Sequence, residues 1–437
     1  MRDEKTFDAR VLLVGLDTGA EPDFDHSMEE LKSLAEAADK QVTGIITQRM
    51  ENVNNAFYIG SGKVEEVREY ALECGAEEII FDNALTPSQM RNLGRELKLP
   101  ILDRTNLILD IFALRARTKE ARLQVEAARL QYFLPRLIGM RENLSRQGGS
   151  AGSAGGKGSV SNKGAGETKL ELDRRKIEHR ITELKKDLED ISRRRENMRK
   201  KRSESRIPKV ALVGYTNAGK STIMNHMLGR YGENREKTVL EKDMLFATLD
   251  TSVRVIYPEG NGREEKAAAD NKPFFLADTV GFIDKLPHGL VKAFRSTLEE
   301  VRNADLIVQV VDFSDEHYKQ QMEVTNETLR SLEAGDIPRI TVYNKADKIR
   351  MDHLPKQKER QIYMAASVGC GIEELAGMIT EAVYADRVER EFIVPYDKGN
   401  IVSYFMENAT VLEQEYRDSG VWMRVRCHKG DAEKYCV

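Results

Sequence analysis

The sequence predicts an α/β protein of several domains, and three observations indicate this. Strand-like apolar runs alternate with amphipathic helices in the first 110 residues and again after residue 209. Two long segments with a heptad pattern lie between these regions. At 437 residues, the chain is also too long for one ordinary domain. We therefore expect an N-terminal α/β domain (1–110), an antiparallel coiled-coil helical hairpin (111–208), a P-loop domain (209–388) and a small C-terminal α+β domain (389–437).

The N-terminal domain should contain a mostly parallel sheet, because each strand is followed by a helix. Strands are predicted at 11–16, 42–47, 78–82 and 100–103, and helices at 28–38, 64–74 and 88–98. Ser27, and either Thr86 or Ser88, are expected to cap helices. The run Gly60-Ser61-Gly62-Lys63 imitates a phosphate loop but lacks the full spacing and the hydroxyl after the lysine. A tight turn between strand and helix is favoured there over a second nucleotide site.

The two heptad segments predict an antiparallel hairpin. Their apolar seams have the same 4-3-4-3 spacing: Leu123, Ala127, Leu130, Leu134 and Leu137 on the first helix, and Ile177, Ile181, Leu184, Leu188 and Ile191 on the second. Pro135 should kink or locally break the first helix. The connector 148–166 contains eight glycines together with Lys157 and Lys163. It is either a disordered linker or a tip whose small residues allow close approach to a phosphate-rich surface.

The run from Gly214 to Ser221 follows an apolar strand and precedes a helix, which is the pattern of a P-loop. Its backbone N–H groups and the helix N-terminus favour a bound phosphate. Lys220 should contact the β- and γ-phosphates, and the Ser221 hydroxyl should bind Mg²⁺. The predicted phosphate-binding residues are Gly214, Tyr215, Thr216, Asn217, Ala218, Gly219, Lys220 and Ser221.

Three further motifs follow in the order that a guanine-nucleotide switch requires. Asp278, at a strand end, can hold Mg²⁺ through water, and the N–H of Gly281 can sense the γ-phosphate. Asp347 can accept hydrogen bonds from both guanine donors, N1–H and the exocyclic amine, a pair that adenine lacks. Backbone N–H groups after the next strand can meet the guanine O6. These predictions cover Asp278, Thr279, Val280 and Gly281; Asn344, Lys345, Ala346 and Asp347; and Ala365, Ala366 and Ser367.

A second switch segment should lie between the P-loop and Asp278. The candidate residues are Phe246, Ala247, Thr248, Leu249 and Asp250. Thr248 is the preferred ligand that completes Mg²⁺ coordination and reports the γ-phosphate, and Thr251 is the alternative. Lys220, Thr248 and Gly281 are accordingly the predicted catalytic residues.

The residue after Gly281 is Phe282, where a Ras-like enzyme has the glutamine that orients the attacking water. Intrinsic hydrolysis should therefore be slow, and a partner or a bound cation must supply what the side chain lacks. Asn217 resembles the asparagine with which some G domains hold K⁺; stabilisation of the loop is the other interpretation.

The net charge of −4 conceals an asymmetry. Residues 141–209 contain 20 Lys/Arg and 11 Asp/Glu, a net of +9, which leaves −13 for the rest of the chain. This basic segment either binds a polyanion or solvates a helix. Four scattered cysteines support neither a zinc site nor a disulfide framework. No apolar stretch is long enough to span a membrane, and the acidic N-terminus is not typical of a signal peptide, so we expect a cytoplasmic protein.

After Glu391, strands are predicted near 392–394 and 421–427, with a helix near 401–408 between them. Trp422 lies in an alternating strand and is expected in the core rather than on a stacking platform.

Taken together, these motifs resemble those of the HflX-type GTPases, relatives of the Obg-like G proteins. The resemblance covers nearly the whole chain and includes 58–63, 164–171, 246–250, 278–282 and the tail motif Pro395-Tyr396-Asp397. Phe282 is itself a trait of that family. Departures are Ala165 and Lys169 in place of the family's proline and glutamine, Ala365 and Ser367 in its Ser-Ala-Lys motif, and a longer connector.

The resemblance implies a Mg²⁺-dependent, monomeric GTPase that binds GTP and GDP and associates with the ribosome. The N-terminal domain and hairpin would contact the large subunit and its rRNA near the peptidyl transferase region, in ribosome splitting or rescue under stress. A second interpretation stays open: a nucleotide-gated protein whose coiled coil grips a non-ribosomal protein partner. A seam exposed for intermolecular pairing would favour that interpretation, and a seam buried within the hairpin would not.

Overall fold

The computed structural model describes residues 9–19, 23–147, 163–204, 207–232, 245–246, 252–258, 272–285, 295–349, 351, 353–385 and 387–435, without the side chains of 137–147, 163–170, 195–204, 295–298, 407 and 428. The chain forms two compact units. The first comprises residues 1–191, 244–249 and 285–294, and the second residues 192–243, 250–284 and 295–437. The predicted α/β fold class is confirmed, with each of its four parts present.

The first unit contains a four-stranded sheet in the order β2-β1-β3-β4, and every neighbouring pair is parallel, as predicted. Its strands are β1 (Ala9–Asp17), β2 (Lys40–Arg49), β3 (Glu78–Phe81) and β4 (Ile101–Asp103). The crossover helices are α1 (Phe24–Ala37), α2 (Ser61–Glu73) and α3 (Pro87–Leu97), and α4 (Arg104–Arg115) follows β4. Buried apolar side chains such as Leu12, Ile79 and Leu93 form its core.

The helix caps agree with the prediction at one site and differ at another. Thr86 caps α3 in a capping box with Gln89, one of the two predicted alternatives. Ser27 is not a cap, because α1 begins earlier: the Asp23 carboxylate accepts from the backbone N–H of His26, and the Ser27 hydroxyl donates to Asp82. The turn before α2 has no side-chain cap, and Lys63 pairs with Glu66 at 2.6 Å.

The hairpin helices are α5 (Lys119–Gln147) and α6 (Lys163–Glu204). Their seams meet as predicted, with Leu123, Ala127 and Leu184 buried together. Arg180 joins Glu126 across the pair at 2.8 Å. Of the two predicted effects of Pro135, a local break is wrong, because α5 runs through it, and a kink stays a prediction. Residues 148–162 of the predicted connector lie outside the described residues, and 163–166 belong to the first turn of α6.

The second unit contains a seven-stranded sheet in the order β10-β11-β9-β8-β5-β7-β6. Its strands are β5 (Lys209–Gly214), β6 (Ser252–Ile256), β7 (Phe274–Asp278), β8 (Leu306–Asp312), β9 (Arg339–Asn344), β10 (Lys356–Lys358) and β11 (Gln361–Tyr363). The helices are α7 (Lys220–Tyr231), α8 (Arg295–Arg302), α9 (Tyr318–Ser331) and α10 (Ile372–Tyr384). Strands β5, β7, β8, β9 and β11 are parallel, so their carboxyl ends share one edge.

The C-terminal part is a three-stranded antiparallel sheet in the order β12-β14-β13. It consists of β12 (Arg387–Val394), β13 (Thr410–Arg417), β14 (Gly420–His428), α11 (Gly399–Asn408) and α12 (Lys429–Lys434). The expectation that Trp422 lies in the core is wrong. Val421 and Met423 enter the core, whereas Trp422 points to the other face, half-buried beneath the Arg417 guanidinium at 4.4 Å. In the part of the chain that the structure describes, no helix is long and apolar enough to cross a membrane.

Candidate functional site

The predicted phosphate loop lies between β5 and α7. Gly214 and Gly219 have φ angles of 149° and 96°, in the range that favours glycine. A Cβ on Gly214 would lie 2.1 Å from Val310 O, and one on Gly219 would lie 2.2 Å from the amide nitrogen of Asn344. Both glycines are therefore required by close packing as well as by backbone conformation. Asn217 also has a positive φ, of 59°, and its side chain is exposed at the loop surface.

Lys220 is the first residue of α7 and points back under the loop. Its Nζ donates to Gly214 O at 3.0 Å and to Tyr215 O at 2.7 Å. Only 6% of the residue is exposed. Burial lowers the pKa of the ammonium group to about 8, an effect that Asp278 opposes and Lys345 reinforces. A phosphate that contacts Nζ would stabilise the protonated ammonium form and so raise this pKa again.

Ser221 and Asp278 lie together although 57 residues separate them in the chain. Strands β5 and β7 are parallel neighbours, which brings the end of β7 beside the start of α7. The Ser221 hydroxyl donates to Asp278 Oδ2 at 2.8 Å. A hydroxyl and a carboxylate are oxygen donors of the kind that Mg²⁺ prefers, so this pair fits the predicted ion. Asp278 and Thr279 are fully buried, and the Thr279 hydroxyl donates to Leu212 O at 2.6 Å.

Asn344, at the end of β9, joins three of the predicted motifs. Its Nδ2 donates to Ala218 O at 2.9 Å, and its Oδ1 accepts from the N–H of Ala366 at 2.9 Å. Only 3% of Asn344 is exposed. The asparagine therefore fixes the phosphate loop and the loop after β11 relative to each other.

The remaining base-recognition residues lie around Asn344. Lys345 has a φ of 60° and pairs with Asp312 at 2.7 Å. Ala346, Ala365 and Ala366 are buried. Asp347 and Ser367 are both exposed. An exposed carboxylate beside buried alanines is suited to selecting a ligand by its hydrogen-bond donors.

The segment after β7 is bonded directly to the phosphate loop. Phe282 N donates to Gly214 O at 3.1 Å, and Thr216 N donates to Phe282 O at 2.8 Å. A Cβ on Gly281 would lie 2.8 Å from Thr216 Cα and 3.1 Å from Lys220 Nζ. Val280 and Phe282 are buried. Gly281 therefore lies against Lys220, the lysine that is predicted to bind the phosphates.

The other predicted switch segment is only partly described. Phe246 has a φ of 54° and is 2% exposed, and its ring packs edge-on against Phe112 of α4 at 4.8 Å within the first unit. Its side chain is therefore committed to packing. Ala247, Thr248, Leu249, Asp250 and the alternative Thr251 lie outside the described residues.

The structure also brings in residues that sequence reasoning missed. In the second unit, the Tyr215 hydroxyl accepts from the N–H of Asp284 at 2.7 Å. In the first unit, and not as part of the phosphate site, Lys285 pairs with Asp82. Asp284 and Lys285 do not belong to a recognisable motif. The P-loop residues, Asp278–Gly281, Asn344–Asp347 and Ala365–Ser367 lie at the carboxyl edge of one sheet, and their contacts with nucleotide remain predictions.

Three family models match the chain in succession. They describe a GTP-binding GTPase N-terminal region at residues 25–113, a GTP-binding GTPase middle region at 115–202 and a 50S ribosome-binding GTPase at 209–345. A GTP-binding protein from the archaeon Sulfolobus solfataricus, solved in complex with GDP, aligns with a TM-score of 0.43 and 24% identity, covering 86% of this chain and 99% of that one.

Closer similarity is found among curated relatives. GTPase HflX of Caldanaerobacter subterraneus subsp. tengcongensis is 40% identical over 413 residues, covering 94% of this chain and 89% of that protein. GTPase HflX of Lacrimispora saccharolytica is 38% identical over 421 residues, covering 96% and 93%. Identity at this level along nearly the full length shows that the chain belongs to the HflX family of GTPases.

Proposed function

We propose that the GTP-bound chain docks on the large ribosomal subunit through its N-terminal domain and hairpin, and that hydrolysis of GTP to GDP and phosphate releases it. Ribosome splitting or rescue under stress is the process in which we place it. The family supports the chemistry, and the model matching residues 209–345 describes a 50S ribosome-binding GTPase.

In this proposal the phosphate loop cradles the β- and γ-phosphates, and Lys220 supplies the positive charge. Ser221 would bind Mg²⁺ directly, Asp278 would bind it through water, and Thr248 would complete its coordination. The ion would neutralise developing phosphate charge, while the protein positions the γ-phosphate against the N–H of Gly281. Asn217 is the residue to test for K⁺, by comparing turnover in K⁺ and Na⁺.

The closed seam of the hairpin is the observation that favours a ribosomal partner over a coiled-coil protein partner. Leu123, Ala127 and Leu184 are buried between α5 and α6. Because these apolar positions already pack within the chain, they are not presented for pairing with a partner helix. The hairpin's outer charge is what remains available for recognition.

That charge is concentrated towards the ends of the basic segment. Residues 171–194, whose side chains are described, carry 8 Lys/Arg and 7 Asp/Glu, and several of these charges pair along the helix, such as Arg174 with Glu178 at 2.9 Å. The excess of +9 in residues 141–209 therefore comes almost entirely from 141–170 and 195–209. The two basic stretches, 141–170 and 195–209, are therefore the parts of this segment that are suited to contacting nucleic-acid phosphates.

The deciding experiment measures GTP turnover of the purified chain alone and with large ribosomal subunits. We expect stimulation by the subunits, weakening of that stimulation as salt rises, and its loss when residues 148–166 are replaced by a short Gly-Ser linker. A matched control replaces Lys185 and Lys186, exposed in the neutral middle section, by Gln and should keep the stimulation. Turnover indifferent to ribosomes would contradict the proposal and favour the protein-partner alternative.

A further inference from the structure

One face of the second unit's sheet is open at the edge formed by β9, β11 and β10. Along β9, residues alternate between buried and half-buried, and along β11 only the middle residue is buried. All three residues of β10 are exposed. Strands β9 and β11 are parallel neighbours, and parallel strands are normally covered on both faces. The open face is therefore an unusual feature in this part of the fold.

The connection between the two parallel strands explains why this face is open. A crossover between parallel strands usually contains a helix that packs on the sheet. Here the chain from Asn344 to Gln361 contains a 3₁₀ turn (Ala346–Ile349) and β10, which pairs antiparallel with β11. Residues 350 and 352 lie outside the described residues. In its described part, the connection adds a strand to the edge of the sheet in place of a helix over its face.

The open face carries a cluster of aromatic side chains. The Tyr343 and Tyr363 rings are stacked, with centroids 4.6 Å apart and planes 13° apart. Phe313 lies edge-on to these rings at 5.3 and 5.2 Å, and Tyr318 lies edge-on to Tyr343 at 6.3 Å. All four residues are half-buried. A group of partly exposed rings offers a platform on which another flat ring can stack.

The tyrosine stack runs across the strands towards the outer edge of the sheet. Tyr363 is in register with Tyr343 on β9 and with Lys356 on β10, so the three residues form one cross-strand row. Lys358 lies two residues further along β10, and its side chain therefore leaves from the same face. Beyond Tyr363, the open face thus continues into two lysines.

The cations at this edge are available to a ligand. Lys356, Lys358 and Arg360, the last in the turn between β10 and β11, are exposed. Within the described part of the chain, none of the three has an ion-pair partner. Glu359 is the one carboxylate in the sequence 353–363, against these three cations. The excess positive charge at the outer end of the aromatic row attracts an anionic ligand.

Stacked rings beside unpaired cations fit the chemistry of a single-stranded nucleic acid. Bases stack on aromatic side chains, and a positively charged surface holds the backbone phosphates. Lysines on an edge strand also discourage pairing with another sheet. That role explains the cations but not the partly exposed tyrosine stack beside them. In a duplex the bases stack on each other, so the tyrosines would select unpaired nucleotides.

We propose that this open face binds unpaired nucleotides of RNA, with a base stacked against Tyr363 and neighbouring phosphates held by Lys356 and Lys358. The choice of RNA rests on the proposed ribosomal partner, whereas the stacking and the charge do not. Asn344, which bonds to the phosphate loop, follows Tyr343 and points to the opposite face of β9. The RNA site is therefore distinct from the predicted guanine-nucleotide site.

The test measures binding of a fluorescein-labelled oligo(U) of about 10 nucleotides to the full-length chain by fluorescence anisotropy. Tyr363→Leu removes the outer ring and keeps an apolar side chain. We expect its Kd for oligo(U) to rise about tenfold, the effect of losing one stacked base. Its Kd for GDP should not change, which shows that the variant is folded. Tyr416→Leu is the matched control, because Tyr416 is a 75% exposed tyrosine on β13, and it should keep the wild-type Kd for oligo(U).

A double variant tests the cations. Replacing Lys356 and Lys358 by Gln should weaken oligo(U) binding and reduce the slope of log Kd against log salt by about 1.4, since each phosphate contact with a single strand contributes about 0.7. Lys398 and Lys429 are exposed lysines of the C-terminal part. Replacing both of these by Gln removes the same charge and should leave the slope unchanged. If Tyr363→Leu does not fold, the lysine variants still decide the matter.

Crosslinking locates the contact. Irradiation of the complex with oligo(U) that contains iodouridine should label the peptide that includes Tyr363, identified by mass spectrometry. Crosslinks confined to other peptides, or a Kd unchanged in both the Tyr363 and the lysine variants, would overturn the site. Polyglutamate binding as tight as oligo(U) would indicate a protein partner, and tighter binding of oligo(dT) would indicate DNA; either result would overturn the proposal.

Failure of the ribosomal function has a different signature. GTP turnover that is indifferent to large ribosomal subunits would contradict the proposed function. Oligo(U) binding that depends on Tyr363 and on the two lysines would still support the RNA site in that case. Conversely, stimulation by the subunits without such binding would overturn the RNA site alone.

Discussion

Asn344 Nδ2 donates to Ala218 O at 2.9 Å, so the residue that opens the base-recognition motif also supports the phosphate loop. The same side chain accepts from the N–H of Ala366 through Oδ1. One buried amide thereby links the regions expected to hold the phosphates and the base. The two halves of the nucleotide site are consequently positioned as one structure rather than as independent loops.

Replacing Asn344 by Ala should weaken GDP binding strongly. The change removes two buried hydrogen bonds, each worth about 1 kcal/mol, and leaves the Ala218 carbonyl and the Ala366 N–H without that partner. We expect a Kd for GDP about 30-fold higher or more, measured by fluorescent-nucleotide titration. Asn408→Ala is the control, since its amide donates to Tyr404 O on an exposed helix face, away from the nucleotide motifs in the sequence. A Kd within twofold of wild type would show that the Asn344 link is dispensable.

Gly281→Ala should abolish most GTP hydrolysis. The added Cβ would lie 2.8 Å from Thr216 Cα, a distance that backbone movement alone can relieve. Such movement displaces the N–H expected to contact the γ-phosphate, so we expect turnover to fall at least about tenfold while the chain stays folded. In Gly377→Ala a new Cβ meets nothing within 4 Å, so turnover should be unchanged. Near-normal turnover of Gly281→Ala would count against a close contact at this residue.

The phosphate-site motifs could be predicted because they are local. The turn at Gly214–Ser221 and the strand ends at Asp278 and Asn344 each depend on neighbouring residues, and parallel strands then place them at one edge. The cap at Thr86 is local in the same way, since proline and glutamine follow it at helix-start positions. The start of α1 was mistaken because Asp23, Asp25 and Ser27 are all suitable caps, and tertiary bonding of Ser27 to Asp82 settles the choice.

Other features depended on which face of an element is buried. In β14 the odd-numbered residues Val421 and Met423 enter the core. Trp422 shares the even-numbered face with Arg424 and Arg426, and that charged face was the available signal that Trp422 points away from the core. Lys285 gave no such signal. Its partner Asp82 lies 203 residues away, and no periodicity or motif relates the two.

Asp347→Asn should change which base is preferred. The exposed Asp347 carboxylate is expected to accept from guanine N1–H and the exocyclic amine. An amide in its place offers a donor, which suits the additional carbonyl of xanthine. We expect GTP binding to weaken and xanthosine triphosphate to become the better ligand, measured by competition against a fluorescent nucleotide. Persistent preference for GTP in this variant would refute the predicted guanine site.

Nucleotide binding should weaken as pH rises above about 8, because burial lowers the pKa of Lys220 to about 8 in the nucleotide-free site. A bound phosphate stabilises the ammonium and so raises that pKa. Above the free-site pKa, binding must first protonate Lys220, and the Kd of GDP should increase about sixfold between pH 7.0 and 8.8. The range ends below pH 9 so that guanine N1–H keeps its proton. Stability of the free protein should change in the opposite direction. The folded-state pKa lies below the ordinary value of 10.5, so the unfolded chain binds more protons and stability rises with pH between these two values. A GDP affinity independent of pH over this range would show that Lys220 is fully charged before nucleotide arrives.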